Sequence, residues 1–227
     1  MKTVVVSIGG SILVPTASNV DNIIEIAATL DDLAEERKLY VVVGGGRYAR
    51  TYINFGRNLG ADERHLDKLG IQFTRLNADL LRLALVGRSL PEKIPKTVKG
   101  AKAMGKDHDI VIMGGTVPGH TTDAVSAMLA QEVKADLLVN ATSVDGVYTA
   151  DPKKDRNARR MEHITYGKLL KLVKDAEGKA GAHVPFDPKG SRILAELKIP
   201  LIIIDGTDLK ALREAILGNA KKGTLVD

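Results

Sequence analysis

The segment Ile110–Ala130, with the sequence IVIMGGTVPGHTTDAVSAMLA, combines residue types that can bind an anion. Residues 110–113 form a short apolar run typical of a buried strand, and the glycines and proline that follow predict a loop. We expect a helix to begin near Thr122, where Thr121 or Thr122 can cap the first amides and Asp123 suits the positive end of the helix dipole. Exposed amides, hydroxyl groups and a positive field favour a phosphate. An ordinary capped turn explains the segment equally well when it is taken alone.

Two further glycine-rich turns occupy similar positions along the chain. Gly9–Ser11 comes after the apolar residues Val4–Val6, and Gly44–Gly46 comes after Tyr40–Val43. Each turn follows a predicted strand, as Gly114–Gly119 does. Because ligands of parallel sheets bind beyond the carboxyl ends of the strands, we expect all three turns to open onto one edge of the sheet. Such convergence indicates one ligand, or two ligands, carrying several phosphates.

The elements that position these turns alternate between strand and helix. Apolar periodicity predicts strands at residues 4–6, 40–43, 110–113, 137–141 and 201–204, and helices at residues 21–37, 47–59, 65–85, 123–134, 166–174, 188–197 and 208–217. Residues 90–109 show no clear pattern. Repeated strand, glycine turn and helix units predict an α/β fold with a mainly parallel sheet that helices cover on both faces. A length of 227 residues fits one domain with at most two lobes.

The composition narrows the class of protein. With 4% aromatic residues and no Trp, the chain has little with which to stack nucleic-acid bases. Its net charge of +5 arises from basic residues scattered among 28 acidic ones, which favours a small anionic ligand over nucleic acid. The absence of Cys excludes disulfides, thiolate metal sites and a Cys nucleophile, and it fits a cytoplasmic protein.

The amino-terminal segment resembles a secretory signal at first sight. In residues 1–18, Lys2 comes before an apolar stretch, as in a signal peptide. Gly9 and Gly10 divide that stretch, however, and no small-residue cleavage motif follows. We therefore expect this segment to form the first core strand. The longest other apolar candidate is Ile199–Ile204, far below the ~18 residues of a membrane-spanning helix, so we expect no membrane association.

Several familiar catalytic motifs are incomplete. Gly100–Lys106 matches most of a P-loop, but Asp107 stands where Ser or Thr would bind magnesium, and no predicted strand precedes the segment. The first strand is not followed by G-x-G-x-x-G, which removes the main support for dinucleotide binding. The five histidines lack metal-ligand spacing, and neither H-E-x-x-H nor G-x-S-x-G occurs, which disfavours zinc and serine hydrolase mechanisms.

Four segments taken together resemble the amino acid kinase family: Gly9–Ser11, Gly44–Gly46, the run GGTVPGHTTDA at residues 114–124 and the run TSVDGVYTADP at residues 142–152. The resemblance covers essentially the whole chain and is greatest to the branch of the family that phosphorylates UMP. It implies a three-layer αβα sandwich, with an acceptor-binding lobe near residues 1–135 and an ATP-binding lobe near residues 136–227. It also implies transfer of the γ-phosphoryl group of ATP to UMP, with Mg²⁺ bound to ATP, in a homo-oligomer that is usually a hexamer.

The same resemblance assigns roles to individual residues. It places ATP against Gly9, Gly10, Ser11, Gly46, Arg50, Thr142, Tyr148 and Asp151. It places UMP against Gly45, Asp67, Thr116, Val117, Pro118, Gly119, His120, Thr121 and Thr122. The residue types agree with these roles, because glycines permit close approach of a phosphate and a carboxylate is a good acceptor for ribose hydroxyl groups. No residue is assigned to a metal ion.

The sequence departs from the family at Ser7, where many members carry a Lys two residues before the first glycine. Part of the charge on the moving phosphoryl group must then be stabilised elsewhere, and Lys189 and Arg192, near the start of a predicted helix, are the candidates. The acceptor stays open between UMP and a carboxylate or phosphorylated alcohol, and a non-catalytic nucleotide-binding or storage subunit is a third alternative. Asp67 matches the UMP-contacting Asp of the family and favours UMP.

Overall fold

The computed structural model describes residues 1–15, 20–150, 152, 155–176 and 185–227. Its strands are β1 (Lys2–Ile8), β2 (Arg37–Val43), β3 (Ile110–Met113), β4 (Leu137–Thr142), β5 (Val147–Tyr148), β6 (Arg160–Met161), β7 (His163–Ile164), β8 (Leu201–Asp205) and β9 (Thr224–Val226). Its helices are α1 (Gly10–Leu13), α2 (Asp21–Leu33), α3 (Gly46–Asn58), α4 (Glu63–Ala84), α5 (Val98–Met104), α6 (Thr122–Val133), α7 (Tyr166–Ala176), α8 (Pro188–Leu197) and α9 (Leu209–Leu217). The first apolar run of the chain forms β1, as predicted.

The central sheet has seven strands in the order β3-β2-β1-β4-β8-β9-β7. Neighbouring strands are parallel except for β8 and β9, which pair antiparallel. The short strands β5 and β6 form a separate antiparallel pair. The prediction of a mainly parallel sheet is confirmed. Strands from residues 1–135 form one side of the sheet and strands from residues 136–227 form the other, and the two sides meet where β1 pairs with β4.

Apolar side chains pack against both faces of the sheet, as the buried β-branched strands of a parallel sheet require. Val4 and Val6 of β1 belong to one buried cluster, together with side chains of α2, α4 and α9. Val5 points the other way and belongs to a second cluster with side chains of α5, α6, α7 and α8. Helices on both faces of one sheet make the three-layer αβα sandwich that the family resemblance implied.

Some element bounds differ from the sequence predictions. The helix predicted at residues 21–37 ends at Leu33. Arg37 instead begins β2, whose residues 39–43 are buried in the sheet. Residues 98–104, in the stretch without a clear pattern, form α5. The three-residue strand β9 is too short for apolar alternation to reveal it. Along the described residues, no helix is long and apolar enough to cross a membrane.

Candidate active site

The glycine-rich turns lie side by side at the carboxyl edge of the sheet, because β3, β2 and β1 are neighbouring parallel strands. A Cβ atom on Gly10 would lie 2.3 Å from the carbonyl oxygen of Gly44 and 2.4 Å from the amide nitrogen of Gly46. The first two turns therefore touch through their backbones, and Gly46 has the left-handed conformation with a φ of 68°. The predicted convergence on one edge is confirmed, and Gly10 also has a packing role that requires no ligand.

The third turn packs against α4. A Cβ atom on Gly114 would lie 2.5 Å from Thr74 Oγ1 and 2.7 Å from the amide nitrogen of Arg75. Thr74 Oγ1 donates to the carbonyl oxygen of Ile71 and accepts from the amide of Gly115, each at 2.6 Å. The close approach of α4 thus requires a glycine at residue 114 and fixes where the following loop begins.

The segment of residues 116–122, called the 116–122 loop, lies between β3 and α6 and ends on the first residue of α6. Two side chains of α4 anchor it. The guanidinium group of Arg75 donates to the carbonyl oxygen of Thr116 at 3.0 Å. Asp67 Oδ2 accepts a hydrogen bond from the amide of Gly119 at 2.7 Å. Charge assists both bonds, so α4 holds the loop in one position against the sheet edge.

The start of α8 also contacts the 116–122 loop. Lys189 Nζ is 2.8 Å from His120 Nε2. Because an ammonium group has protons to donate and no lone pair, the histidine nitrogen is the acceptor in this contact. The structure thus brings Lys189 to the loop that the family resemblance assigns to UMP. Arg192 is exposed one helical turn further along α8.

The carboxyl groups of Asp187 and Asp123 lie close to this loop. Thr121 Oγ1 donates to Asp187 Oδ2 at 2.8 Å, and Ser7 Oγ donates to Asp123 Oδ1 at 3.4 Å. Burial, and next the negative charge of Asp187, raise the pKa of Asp123 to about 6. Ser7 is itself 3% exposed. The residue that replaces the family Lys therefore supports a carboxyl group and supplies no positive charge.

The guanidinium group of Arg50 contacts the first glycine turn. Arg50 Nη2 donates to Ser11 Oγ at 3.0 Å, so these two predicted ATP-binding residues lie together. The amide of Gly9 donates to the carbonyl oxygen of Ala141 at 2.9 Å and is used within the sheet. A phosphate at this turn would therefore meet the amides of Gly10 and Ser11 rather than that of Gly9.

The remaining residues expected on the ATP side are more dispersed. Thr142 is the last residue of β4 and follows Ala141, whose carbonyl oxygen accepts from the amide of Gly9 in the first turn. Tyr148 donates from its hydroxyl to Asp145 at 2.8 Å, and Asp145 also pairs with Arg160 at 3.3 Å. The hydrogen bond to Asp145 raises the pKa of Tyr148. These contacts place Tyr148 against β6, and Asp151 lies outside the described residues.

Arg75, Asn77 and Asp187 were not predicted as site residues from the sequence, and Asp123 was given no role beyond the helix dipole. Asn77 Nδ2 donates to the carbonyl oxygen of Gly44 at 2.8 Å and so joins α4 to the second turn. Asn77 is 5% exposed. A polar residue on the buried side of a predicted amphipathic helix was the available signal, because such groups almost always have a hydrogen-bond partner.

These contacts define a sheet-edge site suited to anionic ligands on a three-layer αβα fold. The model of the amino acid kinase family matches residues 2–205. The chain belongs to the amino acid kinase family.

Relatives of the chain have a more particular name. The chain is 45% identical to the uridylate kinase of Methanococcoides burtonii over 221 residues. The aligned residues cover 96% of this chain and 93% of that protein. It is 42% identical over 223 residues to the uridylate kinase of Archaeoglobus fulgidus, with 98% and 99% covered.

Solved structures agree with this similarity. The crystal structure of uridylate kinase from Archaeoglobus fulgidus matches with a TM-score of 0.89 at 41% identity, over the full length of both chains. The UMP kinase of Bacillus anthracis matches with a TM-score of 0.82 over 100% of this chain and 96% of that one. At 22% identity, this structural match shows a shared fold alone.

Proposed function

We propose that the chain is an ATP-dependent UMP kinase, which transfers the γ-phosphoryl group of ATP to UMP and yields UDP and ADP. The observation that carries this proposal is the similarity to a protein named uridylate kinase at 45% identity over 96% of the chain. The glycine turns on one sheet edge supply the anion-binding surface that such a reaction requires. Phosphoryl transfer needs chiefly positioning and charge neutralisation, and no nucleophilic side chain is required.

We assign the acceptor to the 116–122 loop and the elements that anchor it. The proposed UMP-binding residues are Gly45, Asp67, Thr116, Val117, Pro118, Gly119, His120, Thr121 and Thr122. The position of Asp67 supports this assignment, because Oδ2 holds the amide of Gly119 and the carboxylate has further lone pairs that can accept from a ribose hydroxyl group. The carboxylate thus touches the loop without standing against the phosphate that the loop would bind.

We assign ATP to the first glycine turn and to the carboxyl-terminal half of the chain. The proposed residues are Gly9, Gly10, Ser11, Gly46, Arg50, Thr142, Tyr148 and Asp151. Arg50 supports this assignment, since its bond to Ser11 places a guanidinium group beside backbone amides that can meet a phosphate. We divide the chain into an acceptor lobe near residues 1–135 and an ATP lobe near residues 136–227, with the boundary at the β1 and β4 pair.

The transferred group would need cations close to the acceptor phosphate. We assign this role to Lys189 and Arg192 of α8. Lys189 supports it best, because its ammonium group lies 2.8 Å from a side chain of the 116–122 loop. A cation fixed at that point lowers the energy of negative charge that develops on the moving phosphoryl group.

Mg²⁺ would enter the site with ATP. In the described part of the chain, no group of three or more His, Asp or Glu side chains is placed to hold a metal ion. Such a site still fits Mg²⁺, which usually keeps several waters and binds largely through substrate phosphates. When bound, the ion neutralises charge on the phosphate oxygens. We assign no protein ligand to it.

We also propose that the protein is a cytoplasmic homo-oligomer, and a hexamer as the family resemblance implies. Large apolar side chains on α3, at its end and on α4 are strongly exposed: Tyr52, Phe55, Leu59, Leu76, Leu80 and Leu83. Several large exposed apolar side chains on neighbouring helices favour a protein interface, and we propose that a second copy of the chain covers them. The absence of Cys fits a reducing compartment. Light scattering should report an oligomer that Phe55→Glu makes smaller; a monomer at every concentration would refute this assignment.

A coupled assay of ADP release over a panel of acceptors tests the proposed function. The panel contains UMP, CMP, an amino acid carboxylate and a phosphorylated alcohol, each with ATP and Mg²⁺. UMP should give the highest kcat/KM. Higher turnover with the carboxylate or the phosphorylated alcohol would assign a different acceptor, and ATP binding without turnover would identify a non-catalytic nucleotide-binding subunit.

A further inference from the structure

His120 belongs to the 116–122 loop, and its side chain contacts Lys189 at the start of α8. Its Nε2 is 2.8 Å from Lys189 Nζ, and its Nδ1 is buried without a hydrogen-bond partner among the described residues. Since the ammonium group can only donate, Nε2 carries the lone pair and the ring proton is on Nδ1. A protonated ring would present an N–H group and a positive charge to the lysine.

The nearby carboxylate does not take over this contact. Asp187 lies two residues before Lys189, but its Oδ1 accepts from the amide of Gly190 and its Oδ2 accepts from Thr121, each at 2.8 Å. Asp187 thus caps α8 and ties it to the loop. The Lys189 ammonium group instead contacts His120.

We propose that His120 is a positioning residue that holds the Lys189 ammonium group over the 116–122 loop. The inference rests on the proposed function, because the acceptor phosphate is assigned to that loop. A lysine side chain is long and flexible, and without a fixed acceptor its charge spreads over many positions. A neutral imidazole fixes the ammonium group without cancelling its charge, whereas a carboxylate in the same place would cancel it.

Steady-state kinetics with UMP and ATP test this role through three variants. His120→Ala removes the acceptor and should lower kcat/KM for UMP about 10-fold, the lower end of the range for losing a hydrogen bond to a charged group. His120→Gln keeps a carbonyl oxygen near the position of Nε2 and should recover activity to within about 3-fold of the original chain. The double variant of His120→Ala with Lys189→Ala should lose no more in kcat than Lys189→Ala alone, because the two residues act as one unit on the transferred group.

A matched control separates this effect from the loss of any surface histidine. His163 is exposed and pairs with Asp227 at 2.6 Å, outside the proposed site. His163→Ala should leave both kinetic constants unchanged.

Nitrogen NMR of the histidine rings gives a readout that does not depend on turnover. The ring absent from the spectrum of His120→Gln identifies His120, whose Nε2 should be unprotonated and Nδ1 protonated in mildly alkaline buffer. Lys189→Ala should shift the Nε2 resonance. If these signals are seen but UMP is not phosphorylated, the positioning contact stands and the proposed function fails.

Three results would overturn the inference. These are a protonated Nε2 in the original chain, a folded His120→Gln variant as impaired as His120→Ala, and kinetic losses that multiply in the double variant. Should His120→Ala fail to fold, His120→Gln and the ring spectrum decide the question.

Discussion

The amide of Gly119 donates to the carboxylate of Asp67 at 2.7 Å, across 52 residues of sequence. This bond joins α4 to the 116–122 loop, and it gives a carboxylate a role in a site that otherwise suits anionic ligands. A carboxylate is a poor neighbour for a phosphate, but it is a good acceptor for a backbone amide and for ribose hydroxyl groups together. Asp67 therefore combines a loop-anchoring contact with the proposed selection of ribose.

Replacing Asp67 should change how the enzyme selects its acceptor. Asp67→Asn keeps an oxygen for the Gly119 amide but loses the negative charge, so the preference for UMP over dUMP should fall about 10-fold. Asp67→Ala loses both contacts and should also raise the KM for UMP, with the KM for ATP nearly unchanged. Asp79→Asn is the control, because Asp79 is a half-exposed residue of the same helix that pairs with Arg82. A wild-type UMP to dUMP ratio in both Asp67 variants would remove Asp67 from ribose selection.

Arg50→Ala should impair the use of ATP and leave the fold intact. The guanidinium group bonds to Ser11 beside the first turn, and a charge-assisted contact to a phosphate would be lost, raising the KM for ATP about 10-fold. Arg57→Ala on the same helix removes an exposed pair with Glu63 and should have little effect. Initial rates at varied ATP compare the two variants. Equal constants for both would show that Arg50 does not contact ATP.

Gly10→Ala should destabilise the fold whether or not a ligand is present. The new Cβ would lie 2.3 Å from the backbone of Gly44, and the two turns must separate at a cost of about 2 kcal/mol. Gly167→Ala is the matched control, because its Cβ would meet nothing closer than 3.7 Å on the exposed side of α7. That change should be neutral or stabilising by about 0.5 kcal/mol. Urea unfolding of the apo-protein measures both values, and equal stability would refute the contact between the turns.

The raised pKa of Asp123 gives the stability of the protein a definite pH dependence. From the ordinary value of 3.8 up to about 6, the folded chain keeps a proton that the unfolded chain releases, so the free energy of unfolding falls as pH rises. Above pH 6 this penalty is constant, at most about 3 kcal/mol for a shift of about 2 units. Asp123→Asn removes the titration and retains an acceptor for Ser7.

Denaturant unfolding of the original chain and of Asp123→Asn, from about pH 4 to pH 7, measures this effect. The stability advantage of the Asn variant should grow up to pH 6 and then level off. A difference that stays flat across this range would show that Asp123 titrates normally in the folded protein.

Local sequence patterns predicted much of the sheet and its glycine-rich edge. The apolar run 110–113 and the helix that follows it are where periodicity placed them, since strand and helix periods are local properties. The boundary near Arg37 was wrong, because the start of β2 is set by pairing with β1. Such pairing acts between residues that are distant in sequence.

The contacts that complete the candidate site are of this distant kind. His120 and Lys189 are 69 residues apart, and Thr121 and Asp187 are 66 apart. No spacing rule relates such pairs, so the sequence indicated Lys189 as a candidate cation without indicating what holds it. Arg75 was missed for the same reason, since its partners are loop carbonyl oxygens that any residue supplies.

Transfer of label from γ-labelled ATP to UMP is the most direct test of the proposed UMP kinase activity. The purified chain is mixed with labelled ATP, Mg²⁺ and UMP, and the nucleotides are separated as turnover proceeds. A UMP kinase should yield labelled UDP, with the label in its β-phosphate and one ADP formed for each UDP. ATP binding without labelled UDP, or label that reaches a different acceptor in preference to UMP, would contradict it.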